Sequence, residues 1–136
     1  MLNLRASAAG IDDFLIYFAL GIAFLALFLA IYVRITPYRE IRLIREGNLA
    51  AALSLSGSML GFIVPLAVAI AESVSVQDMA LWAGIALLVQ LGAFGVARML
   101  LPGIASDIPA GKLAPGLFLG VVSLGVGLLN AASMTY

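Results

Sequence analysis

Among the polar side chains set in long apolar stretches of this 136-residue chain, Ser54, Ser58, Gln90 and Asn130 are those whose types could line a polar path or hold a ligand. The chain has no His, and no Lys lies inside an apolar stretch, so the serines have no base to make them nucleophiles. The absence of Cys as well as His removes disulfides, thiolate chemistry and the usual zinc ligands. An ionisable group at the centre of a membrane helix costs about 2.5 to 3.5 kcal/mol and is the usual flag of proton or ion coupling. None falls at the middle of an apolar stretch here. The residues therefore predict no enzyme, no cofactor and no metal site. Hydrogen bonds among hydroxyl and amide groups in lipid average only about 0.6 kcal/mol, so helix packing is the plainer use of the four residues.

The elements that must carry them are membrane helices. The chain is 64% hydrophobic and 10% charged, with a mean hydropathy of +1.18, too little polar surface to cover a globule in water. A net charge of zero, seven bases against seven acids, also argues against nucleic acid as a partner. About 20 apolar residues are needed to cross a bilayer, and four stretches meet that length, at about 14–33, 49–71, 79–101 and 113–134. The fold class is all-α, a single integral membrane domain over 1–136. The first stretch is longer than the apolar core of a signal peptide and is preceded by Asp12 and Asp13 rather than by bases, so it is read as a retained helix. Six of the seven bases (Arg34, Arg39, Arg42, Arg45, Arg98 and Lys112) lie in the first and third loops. Those loops are thus placed in the cytoplasm and both termini outside.

Shifting the sequence by 64 residues lays Ile44, Gly47, Leu49, Ala50, Leu53 and Gly61 on Ile108, Gly111, Leu113, Ala114, Leu117 and Gly125. The chain reads as two copies of a helical hairpin, 14–71 and 79–134, and two crossings per copy make the copies parallel rather than inverted. In the first loop, Thr36 is expected to cap a short helix with Pro37 at its first position. Tyr38, Ile41 and Ile44 would line one side of it, with Arg39, Arg42 and Arg45 elsewhere. Gly47 suits a left-handed stop, and Asn48 can cap the second span. Arg39, Arg42, Arg45 and Asn48 are candidates for contact with a cytoplasmic protein partner or anionic lipid. An ordinary connector is the plainer reading, because Glu40 and Glu46 offset the bases.

Two stripes of small residues complete the pattern: Ser54, Gly57, Ser58 and Gly61 (leading to Pro65) on the second span, and Gly116, Gly120, Ser123 and Gly127 on the fourth. Such stripes allow close helix approach in lipid. Laid over each other by the repeat they occupy nearly opposite faces. The expectation is therefore that one packs within the chain and the other against a neighbouring subunit of a homo-oligomer.

The run Ile44 to Gly61 (IREGNLAAALSLSGSMLG), preceded by Ile35-Thr36-Pro37 and followed by a second hairpin closing on Asn130-Ala131-Ala132, resembles the YjfL-like family of small bacterial inner-membrane proteins. The second copy departs from the pattern, with Lys112 for Asn48 and Pro115 for Ala51. The resemblance implies a four-span protein of the bacterial inner membrane with a role in envelope maintenance or in a larger assembly. It supplies no substrate and no catalytic residue. Together these readings favour an oligomeric structural or scaffold subunit embedded in the lipid bilayer. The alternative is a subunit of an oligomeric channel or small-solute transporter, with Ser54, Ser58, Gln90 or Asn130 facing the path.

Overall fold

The computed structural model describes residues 4–134. Six helices follow one another: α1 (Leu4–Ile35), α2 (Glu40–Arg45), α3 (Leu49–Glu72), α4 (Val76–Leu100), α5 (Ile104–Asp107) and α6 (Leu113–Ser133). No strand occurs among the described residues. α1, α3, α4 and α6 are long and apolar enough to cross a membrane, and they cover the four expected spans except for the last residue of the third and fourth. The largest difference is at α1, which starts at Leu4 rather than near residue 14 and has 32 residues. At 1.5 Å per residue it is about 48 Å long, well beyond a hydrocarbon core of roughly 30 Å. The added residues Arg5–Asp13 are rich in Ala and lack Pro, so nothing in them interrupts the helix.

The helix ends are set by local chemistry. Ser75 caps α4 by accepting from the Asp78 backbone N–H at 3.1 Å, and the Asp78 carboxylate accepts in turn from the Val74 N–H at 3.1 Å, so the α3–α4 turn ties off two otherwise orphaned donors. Asn48 caps α3 by accepting from the Ala51 N–H. Gly47 and Gly111 have φ of +85° and +75°, the left-handed conformation that side-chain-bearing residues avoid. Each ends a short helix with the same pair of bonds. Gly47 and Asn48 donate to Ile44 and Leu43, and Gly111 and Lys112 donate to Ile108 and Asp107. The stops are 64 residues apart, as are the first residues of α3 and α6.

The expected helix at Pro37 does not form there. α2 begins at Glu40, and the Thr36 hydroxyl instead donates to the carbonyl of Val33 or Tyr38. Residues 36–40 alternate, with Thr36, Tyr38 and Glu40 buried and Pro37 and Arg39 exposed, so Glu40 rather than Ile41 turns inward. Ile41 is exposed.

α3 is the central helix. α6 lies along it in the same direction, since Ala50 meets Gly116, Gly57 meets Gly120 and Gly61 meets Gly127 in order. α4 runs back from the three-residue turn between α3 and itself and packs on α3 and α6. α1 rests on α3 and α4, antiparallel to α3, with Gly21 against Ile70 at one end and Tyr32 against Ser58 at the other.

Candidate functional site

Lipid offers no hydrophobic drive for one apolar helix to prefer another over acyl chains, so tight contact must come from shape. The α3–α6 seam achieves this with backbone against backbone. A methyl group added at Gly57, Gly116 or Gly127 would overlap the backbone of Gly120, Ala50 or Gly61 respectively. Both small-residue stripes therefore face each other within one chain. This corrects the expectation that one of them serves a neighbouring subunit. The face a helix presents is set by what packs on it, and α3 and α6 meet through faces that the 64-residue alignment does not superimpose.

The seam encloses a hydrogen-bonded cluster. The Ser58 hydroxyl lies 3.1 Å from the Tyr32 hydroxyl and 3.3 Å from the Ser123 hydroxyl. With one proton to give, it donates to one and accepts from the other. The Gln90 amide donates to the carbonyls of Ser123 (3.0 Å) and Ser58 (3.4 Å), tying α4 to α3 and α6 at one level. Its Oε1 is buried without a hydrogen bond. Phe28 and Phe62 stack at 4.9 Å one turn from Tyr32 and Ser58 on the side of the α3–α4 turn, and Phe94 meets Tyr32 edge-on at 5.1 Å. Of the four residues first considered for a path, Ser58 and Gln90 thus meet directly. Ser54 is buried one turn away, its hydroxyl donating to Ala51. Asn130 stands apart on α6, half-buried, with an amide nitrogen that makes no hydrogen bond among the described residues.

Toward the α2 end the polar lining continues through Tyr38, which lies beside Ser54, to Glu40. Glu40 is 1% exposed, and neither carboxylate oxygen has a hydrogen-bond partner; the Tyr38 hydroxyl has none either. Burial pushes the Glu40 carboxyl up to about 8. The Tyr38 phenol is also raised, first by burial and then by Glu40 beside it. Sequence reasoning counted Glu40 only as an offset to the neighbouring arginines. The signal available was the alternation Thr36, Tyr38, Glu40, three polar side chains that are buried in turn while Pro37 and Arg39 between them are exposed.

Outside this cluster, Arg39 just before α2 and Arg42 and Arg45 on it are exposed, and Arg42 pairs with Glu46 at 3.1 Å. Tyr38, Arg39, Arg42, Leu43, Glu46 and Pro109 surround an open cleft there. Asn48 does not belong with the arginines. Its Oδ1 caps α3, and its Nδ2 donates to the Ile108 carbonyl at 2.8 Å, so both ends of the amide are consumed in joining the two loops. Asn48→Ala should lower thermal stability by about 1 to 2 kcal/mol through the lost cap and tie. The check is a melting curve in mild detergent, with exposed Ser56→Ala expected to leave the midpoint unchanged.

Residues 6–134 match the family model described as Domain of Unknown Function (DUF350). The chain is 42% identical over 120 residues to the "UPF0719 inner membrane protein YjfL" of Escherichia coli (strain K12), covering 88% of this chain and 91% of that protein. It is 27% identical over 120 residues to the "UPF0719 transmembrane protein YshE" of Bacillus subtilis (strain 168), covering 87% and 90%. No solved structure matches it.

Proposed function

We propose, for a chain that belongs to the DUF350 family of small bacterial membrane proteins, a non-enzymatic role as an oligomeric structural or scaffold subunit of the inner membrane that works in envelope maintenance. One observation carries this reading. α1 buries only Gly21, Phe28 and Tyr32 against the bundle, while Ala19, Ala23, Ala26 and Ala30 form an exposed stripe. At roughly 100° per residue the four alanines fall within one narrow sector, on the side of α1 away from Gly21, Phe28 and Tyr32. A stripe of small side chains lets a second helix approach closely, which is how association is driven in lipid. The interface of the oligomer is thus assigned to α1.

The interior supports a scaffold over a conduit. Backbone contacts fill the α3–α6 seam, and the Phe28–Phe62 ring pair closes the hydroxyl cluster on the side of the α3–α4 turn. Placing α2 and α5 on the cytoplasmic side, with both termini outside, follows from the sorting of bases. It leaves Arg39, Arg42 and Arg45 facing a cytoplasmic partner or anionic lipid. The equal spacing of the two glycine stops and of the α3 and α6 starts supports descent from a duplicated hairpin.

Ala23→Leu combined with Ala26→Leu should reduce the particle to monomer without loss of helix content. Size-exclusion chromatography with light scattering in mild detergent is the measurement. An unchanged subunit count in the variant, or a monomeric wild type, would remove the support.

A further inference from the structure

We propose that Glu40 is a proton-binding site of this protein, a carboxyl that takes up and releases one proton at the α2 end of the bundle. The inference does not depend on how copies assemble. Glu40 is buried at 1% exposure with both oxygens unbonded, and the nearby Tyr38 hydroxyl is buried and unbonded as well. An ionised carboxylate in that position lacks both donors and a counter-charge, a state that is strongly disfavoured in a low-dielectric interior. A proton removes the charge.

The surrounding elements supply no competing charge. α1 faces Glu40 with Tyr32 and the α1–α2 turn with Tyr38. Arg98 of α4 acts on Tyr38, and is exposed. α3, on which α2 packs, has no titratable side chain except Glu72 at its far end, and α6 has none. Asp107 of α5 is held by Lys112 at 3.3 Å. Arg39, Arg42 and Arg45 on or beside α2 are exposed. Burial is accordingly the cause of the carboxyl's upward shift to about 8. A metal cation needs several oxygens converging on one point, and among the described residues no group of three or more acidic or other metal-binding side chains exists.

The test is infrared spectroscopy of the full chain in nanodiscs, following the C=O stretch of protonated carboxyl groups against pH. The wild type should show one band at neutral pH that is lost with a midpoint near 8, and Glu40→Gln should lack it. Absence of the band at neutral pH in the wild type would overturn the proposal. So would a midpoint that moves when sodium or potassium chloride is raised at fixed ionic strength, which would assign the site to a metal cation. A second readout uses the wild type alone. Dicyclohexylcarbodiimide adds to protonated carboxyls in apolar surroundings, so peptide mapping should find Glu40 labelled at least tenfold faster than exposed Glu46, and equal rates would contradict the assignment.

Discussion

Leucine at Gly127 should abolish the native bundle. A side chain there has nowhere to go, because even a first methyl group would overlap the Gly61 backbone rather than a movable side chain. Overpacking of cores commonly costs about 1 to 3 kcal/mol where neighbours can shift. Here the neighbour is the main chain of α3, so α6 must move bodily. That motion would pull Ser123 from Ser58 and from Gln90, breaking the contacts that join α3, α4 and α6. The expected result for Gly127→Leu is loss of the cooperative melting transition and aggregation on extraction. Gly57→Leu, placed against Gly120, should behave alike. Gly92→Leu is the control: its surroundings are open, so the fold should survive. Survival of Gly127→Leu with an intact melting curve would mean that α3 and α6 do not meet through these glycines.

Stability should fall as pH rises through the neutral range, and Glu40 should be the reason. Its carboxyl ionises at about 4.5 in the unfolded chain and about 8 in the folded one. Below the lower value both states hold the proton. Between the two the unfolded chain holds fewer protons, so the stability tied to Glu40 declines steadily and is gone above the upper value. The slope is at most about 1.4 kcal/mol per pH unit. Glu40→Gln keeps the shape and removes the proton equilibrium. The difference in melting temperature between wild type and Glu40→Gln should therefore shift against the wild type from about pH 5 to about pH 8 and level off beyond it. A difference that is flat across that range would mean that Glu40 has no raised affinity for a proton in the folded chain.

The spans were legible because a bilayer demands runs of apolar residues that a soluble fold does not, and the chain has four of them. The stops at Gly47 and Gly111 and the Asn48 cap were legible because left-handed backbone and an orphaned N–H each select few residue types. Which faces meet was not. In lipid the outside of a bundle is as apolar as its inside, so periodicity that marks a core in water loses its meaning. The glycine stripes announced close contact without naming the partner. The alanines of α1 gave no signal until Gly21, Phe28 and Tyr32 were seen to occupy the other side. Glu40 was hidden for a different reason. Its burial follows from the bent, non-helical segment 36–39, which leaves Thr36, Tyr38 and Glu40 inside and Pro37 and Arg39 outside, an arrangement that a helix starting at Pro37 would have replaced.

Assembly through α1 is the claim on which the functional reading stands, and the natural absence of Cys makes it directly measurable in the native membrane. Single cysteines placed as Ala23→Cys, Ala26→Cys and, on the exposed side of α6, Leu129→Cys can be oxidised in intact membranes and separated without reductant. Disulfide-linked dimer from Ala23→Cys and Ala26→Cys, with little from Leu129→Cys, is the predicted result. Monomer at all three positions, or dimer from Leu129→Cys alone, would contradict it.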